Sequence, residues 1–141
     1  MEQNELQHVA EDILTNHQIG TLASVKNDKP FSRYMTFFHE GYTLYTATDK
    51  HTHKVDDLSH NPNVHVLLGY TYDGTTDAYL EIEGKASIED NKDTKQKIWN
   101  EKLEPWFNGP EDPNYTVLKI DPSEIRLMNT KEEEAQVLDL N

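Results

Sequence analysis

From Ala78 to Glu89 the side chains alternate. Ala78, Leu80, Ile82, Gly84, Ala86 and Ile88 fall on one parity, and Tyr79, Glu81, Glu83, Lys85, Ser87 and Glu89 on the other. A period of two assigns each set to its own face of a strand, one buried and one wet. Such a strand suits an antiparallel sheet, because parallel strands are buried on both faces. A parallel sheet also needs a crossover helix between most of its strands, and this chain has too few candidates.

The segments around this strand extend the pattern. Leu6, Val9, Ala10, Ile13 and Leu14 keep helical spacing, so an amphipathic helix opens the chain. Ile19 to Val25, Phe31 to His39 and Tyr42 to Thr48 read as three strands. They are joined by the turn Lys26 to Pro30 and the tight Glu40-Gly41 connection, as in an antiparallel meander. Lys54 to Ser59 reads as a short helix with Thr52 as its N-cap, ended by Asn61-Pro62-Asn63. Val64 to Tyr72 is a fourth strand, and Tyr72-Asp73-Gly74 a turn before the alternating fifth. Asn91 to Lys102 reads as a helix and residues 103–114 as a loop with three prolines. Tyr115 to Ile120 is a sixth strand, and Ile125 to Met128 reads as a seventh. The expected fold is one domain over residues 1–141, mainly β with flanking short helices. Its strands form an antiparallel, Greek-key-like barrel, and residues 131–141 form a loose or helical tail.

Charge narrows the partners. Thirteen Lys and Arg stand against 26 Asp and Glu, a net charge of −13. That field opposes nucleic acid and anionic membranes, so neither is an expected partner. With no cysteine there is no disulfide, thiolate ligand or Cys nucleophile. No segment approaches the roughly 18 apolar residues of a membrane helix. The acidic start MEQNELQHVAEDIL has no secretory pattern, so the expected location is the cytoplasm.

Within this acidic chain Lys50-His51-Thr52-His53-Lys54 is the one dense basic window, placed at an expected helix N-terminus, where the macrodipole disfavours cations. Two readings stay open. The side chains are solvated and offset by Asp49, Asp56 and Asp57, or the window holds an anion with help from backbone N–H groups and the Thr52 hydroxyl. His51 and His53 form an H-x-H pair, but the lysines repel a metal ion and no third ligand stands at motif spacing, so no metal is expected. Arg33, one of two arginines, lies in a strand otherwise bound for a core and wants a carboxylate or phosphate, unless it snorkels at the rim. Trp99, Trp106 and Phe107 either close a flat-ring pocket or plug the core.

The order of elements, with Arg33 in strand two and the run Thr48-x-x-x-Thr52-x-Lys54-x-x-x-Leu58, resembles the pyridoxamine 5′-phosphate oxidase-like flavoproteins. Within them it is most similar to the general stress protein 26 branch, as are His60-Asn61-Pro62-Asn63-Val64 and Trp106-Phe107-Asn108-Gly109-Pro110-Glu111-Asp112-Pro113. The resemblance spans about residues 5–130. It implies an FMN-binding split β-barrel that forms a homodimer, with FMN in clefts between the subunits. By motif match Arg33, Thr52 and Lys54 would hold the FMN phosphate, and Tyr34, Met35, Ala47 and Thr48 would line the ribityl chain or the ring. Thr52 replaces the commoner Ser, and His53 stands where the true oxidases carry Arg. Leu127-Met128 occupies a region where many relatives place an aromatic residue.

The chain also lacks the C-terminal Arg and His segment with which the true oxidases grip pyridoxal substrate, so that vitamin oxidation is not expected. The resemblance thus implies a flavin-dependent oxidoreductase of unknown small-molecule substrate and electron donor, with no side chain marked as catalytic. The alternatives are a flavin-binding or flavin-buffering stress protein without turnover, and a split barrel that has lost its cofactor or binds another flat ligand, haem or a deazaflavin.

Overall fold

Asn27 and Asp28 both sit in the left-handed backbone region, φ 51° and 62°. That is the geometry of a two-residue hairpin turn whose twist matches its strands. It joins β1 (Ile19–Lys26) to β2 (Lys29–Glu40), paired antiparallel from Ile19↔Thr36 to Lys26↔Lys29. Gly41, at φ 59°, turns the chain again into β3 (Thr43–Asp49). The structure, a computed structural model, describes residues 1–71, 77–130 and 134–140. The expected turn at Tyr72-Asp73-Gly74 lies outside the described residues.

Three more long strands complete the sheet: β4 (Asn63–Leu68), β5 (Tyr79–Glu89) and β6 (Tyr115–Met128). Their order is β3-β2-β1-β4-β5-β6, and β3 pairs in turn with β6 from Leu44↔Ile120 to Asp49↔Tyr115. The sheet therefore closes into a six-stranded antiparallel barrel, mainly β as expected. Helix α1 (Gln3–Asn16) buries Leu6, Ala10, Ile13 and Leu14 in the same cluster as Leu22, Val66, Leu80, Ile82 and Ile120. A buried side chain of this kind contributes roughly 1.5–3 kcal/mol, against about 0–1 for an exposed ion pair. The interior, not the surface charge, holds the barrel shut.

The barrel departs from the sequence reading in five places. Strand four ends at Leu68, because Gly69 takes φ 103° and a Cβ there would meet the Ile13 side chain at 2.5 Å. The expected sixth and seventh strands are one strand, β6, which runs through Pro122. Residues 115–120 of β6 pair with β3, and Arg126 and Leu127 pair with β7 (Gln136–Val137). Pro122 falls between those stretches, where its missing N–H breaks no second ladder. Opposite it the β5–β6 register shifts at Glu83/Gly84, and a Cβ on Gly84 would lie 2.6 Å from the Asp121 carbonyl oxygen.

The expected tail thus carries a strand, anchored by the buried Leu138 and by its N–H donating to the Ile125 carbonyl at 2.9 Å. The expected helix 91–102 ends early. Helix α3 (Lys92–Ile98) gives way at Trp99, and the Asn100 side chain accepts from the Lys102 N–H to restart the chain as a 3-10 turn, Glu101–Leu103. Ile88, placed on the buried face by parity, is 46% exposed at the far end of β5. There the strand runs beyond the packed interior.

Candidate functional site

A pocket of about 540 Å³ opens where β2, β3 and the start of α2 (His53–His60) face the segment from Lys102 to Phe107. That size suits a small organic ligand. Six of the seven residues named from sequence line it: Tyr34, Met35, Ala47, Thr48, Thr52 and Lys54. Arg33 does not. Its Nη1 donates to the Leu22 carbonyl at 3.0 Å and the Ser24 hydroxyl at 2.8 Å, just outside the lining. Its charge still reaches the pocket, as the Lys54 pKa records.

Strand geometry sets the upper wall. Thr46 is fully enclosed and donates its hydroxyl to the Thr36 carbonyl at 2.8 Å, tying β3 to β2 beside the pocket. Thr48 is buried opposite Thr116 on β6. Asp49 then organises the exit from β3, accepting from the His51 N–H on its carboxylate and from the Thr52 N–H on its carbonyl. That turn splits the basic window. Lys50, His51 and His53 are exposed, while Thr52 and Lys54 turn inward. Three residues of the window are solvated surface and two are pocket wall.

The inward pair is short of partners. Thr52 is the N-cap of α2 by backbone conformation, yet its hydroxyl makes no cap bond and is a buried oxygen without a hydrogen-bond partner. Lys54 lies with Nζ 3.6 Å from the Met35 sulfur, and among the described residues no carboxylate stands within 4 Å of it. Burial, then the nearby Arg33 guanidinium, pulls the Lys54 pKa below its ordinary value. Burial likewise lowers Arg33, partly offset by Asp57. A buried hydroxyl without a partner and a half-buried ammonium without a carboxylate beside it are costly alone, and a hydrogen-bonding anion relieves both.

The lower wall comes from a different kind of structure. Ile98, Leu103, Phe107, Tyr115 and Val117 form a small second core. The Tyr115 ring stands 5.2 Å from Phe107 and 5.5 Å from Trp99, and its hydroxyl donates to the Lys95 carbonyl at 2.8 Å. Burial pushes that phenol up to about 12. Asp112 accepts from the Asn108 and Asn114 N–H groups at 2.8 and 2.9 Å, and these bonds lower its pKa. Of the three aromatics singled out in sequence, Phe107 and Trp99 pack inward, and Trp106 stands 77% exposed on the pocket rim. Ile19, Thr36, Asp49, Lys102 and Leu103 also line the pocket and carried no sequence signal as site residues.

The sequence profile of the family described as "Pyridoxamine 5'-phosphate oxidase" matches residues 6–129. The chain is 50% identical over 140 residues to General stress protein 26 of Bacillus subtilis, covering 99% of this chain and 100% of that protein. It superposes on the crystal structure of General Stress Protein 26 from Bacillus anthracis with a TM-score of 0.84 at 43% identity, covering 95% of this chain and 99% of that one. A heme binding protein from Mycobacterium smegmatis shares the fold at TM-score 0.74 and 13% identity, over 93% of this chain and 56% of that one.

Proposed function

This chain belongs to the pyridoxamine 5′-phosphate oxidase family, and on that footing we propose that it binds FMN in the pocket and works as an FMN-dependent oxidoreductase on a small molecule. One observation carries the reading. Among the described residues, the pocket holds the unpartnered Thr52 hydroxyl beside Lys54, an ammonium with no carboxylate within 4 Å, in a chain of net charge −13. Thr52 and Lys54 would hold the phosphate, with Arg33 adding its charge from behind. Thr48, Ala47, Met35 and Tyr34 would line the ribityl chain and the ring. FMN, when bound, supplies hydride and single-electron chemistry. The chain's own residues bind it, orient it and keep water from its buried side.

The proposal includes a homodimer. Ile19, Leu67 and Tyr70 are 67%, 41% and 55% exposed on the β1–β4 side of the barrel, and the pocket is open beside Ile19. A second copy would cover this surface and supply the missing wall. A strict monomer in sedimentation with FMN bound overturns that part.

The phosphate anchor is tested by titrating the apoprotein with FMN and riboflavin, followed by fluorescence. Lys54→Ala and Arg33→Ala each weaken FMN by at least about tenfold, roughly 1.4 kcal/mol. Riboflavin binds more weakly and barely notices either change, and Lys50→Ala matters less. If riboflavin binds as tightly as FMN, the reading fails. Oxidation of NADH or NADPH with an added acceptor separates an enzyme from a flavin carrier. A second reading, haem, draws on the heme-binding neighbour of the same fold. The pocket lining offers Met35 but no histidine, the commonest axial ligand, so haem is the weaker candidate. A visible spectrum of the purified protein distinguishes the two.

A further inference from the structure

Trp106 is exposed, but its backbone is fixed. Leu103 and Phe107 on either side are buried, the Trp106 N–H donates to the Leu103 carbonyl at 3.0 Å, and Asp112 clamps the chain just beyond. Single exposed apolar side chains are common and need no explanation. This one differs in projecting from a hydrogen-bonded turn on a pocket rim, where a ring of roughly 150–250 Å² meets a ligand without rearrangement of the backbone.

Lys102 supplies the second observation. Lys26, Lys97, Lys119 and Arg126 all stand against carboxylates. Lys102 instead donates to the neutral side-chain oxygen of Gln18, and among the described residues no carboxylate lies within 4 Å of its Nζ. The pocket lining thus carries two lysines against one aspartate, and Asp49 already accepts from His51. Lys54 is taken by the phosphate in the FMN reading, on which this inference rests. Lys102 remains, four residues from Trp106 on the same rim.

We propose that this rim is a second-ligand subsite for a planar aromatic anion, which stacks on Trp106 and pairs with Lys102. It gives the substrate of the FMN site a chemical class. A flat ring gains from the indole face, and a carboxylate or sulfonate gains from Lys102, the pocket lysine that the FMN reading leaves without an anion. A neutral ring or a non-aromatic anion satisfies only one of the two.

Calorimetric titration of the FMN-loaded chain with 2-naphthoate, 2-naphthamide and cyclohexanecarboxylate tests this. The naphthoate binds at least about tenfold tighter than either comparison compound. Trp106→Ala, which removes an exposed side chain and leaves the second core intact, erases most of that affinity. Lys102→Met makes naphthoate and naphthamide alike while keeping the preference for a ring. Both variants hold FMN within about twofold of the parent. The proposal is overturned if the parent treats naphthoate and naphthamide equally, or if Trp106→Ala leaves naphthoate binding unchanged. It is also overturned if Trp106→Ala weakens FMN as much as naphthoate, since Trp106 then belongs to the cofactor wall. Should the chain bind no FMN, the cofactor reading falls, and the same three titrations on the flavin-free chain still decide the subsite.

Discussion

Thr48 and Phe107 face one pocket from opposite sides, and different forces keep them in place. Thr48 sits in β3, between β2 and β6, over the large cluster shared by the barrel and α1. Moving it means opening the barrel. Phe107 is held by a small cluster and by its N–H donating to the Leu103 carbonyl, while Lys102 and Asn108 on either side donate their N–H groups to the Asn100 and Asp112 side chains. Moving it disturbs the segment from Trp99 to Asn114 first, together with the Tyr115 ring on which it packs. The strand wall has the stability of the whole fold, whereas the segment wall has a stability of its own. A pocket built this way fixes one ligand on the stiff side and leaves the other side free to vary without risk to the barrel.

The harshest test of that contrast is Ile82→Ala. Ile82 is fully buried at the barrel centre, and its loss should cost about 4 kcal/mol, in the upper part of the range for buried aliphatics. The barrel should then unfold at lower denaturant, and the segment wall, which packs on β6, should open with it or before it; a segment wall that outlasts the barrel would break the comparison. Phe107→Ala comes next, at about 3 kcal/mol, the low end for a buried aromatic because the pocket already leaves space beside it. Hydrogen exchange should quicken across residues 99–114 and stay slow in β1 and β5.

Tyr115→Phe removes one buried hydrogen bond, a loss of about 1 kcal/mol. It also removes a titration. With the folded phenol raised from 10 to about 12, the folded state holds its proton more tightly than the unfolded chain. Stability is therefore full below pH 10 and declines as pH rises from there towards 12. The parent should loosen over that window, and the Phe variant should lose this part of the dependence, read by thermal melts across pH.

Asp112→Asn is the gentlest test. The Asp112 pKa is depressed in the fold, so its contribution is present above the ordinary carboxylate value of 3.8 and is lost as pH falls below it. Exchange at Asn108 and Asn114 should quicken in acid for the parent and be nearly flat with pH for the Asn variant. Equal acid responses in the two proteins would remove Asp112 from the clamp.

How much of this was legible in sequence follows the same division. The meander, α1 and α2 were readable to within a residue or two because their signals are local: helical spacing at Leu6 to Leu14, left-handed turn residues at Asn27-Asp28 and Gly41, alternation in β5. That Tyr115–Ile120 and Ile125–Met128 are one strand was not readable, since a strand passes through Pro122 only where its missing N–H faces no neighbour, and that depends on where β3 ends and β7 begins. The basic window alone did not separate Thr52 and Lys54 from Lys50, His51 and His53; the family resemblance singled those two out, and they are the two that turn inward. Of the lower wall the aromatics Trp99, Trp106 and Phe107 could be marked, but not which pack inward, because Leu103 and Phe107 find their partner, Tyr115, only after the chain has folded back. Lys102 gave no signal, because a neutral contact with Gln18, 84 residues away, has no mark in sequence.

The pairing of β3 with β6 also bears on synthesis. Residues 43–49 wait for residues 115–120, so a nascent chain has made five strands before the barrel can close. Until then β3 and β5 each present a bare edge, the kind of surface that pairs with other chains. The many acidic side chains would keep growing chains apart during that interval. On a ribosome the last long strand seals two edges at once.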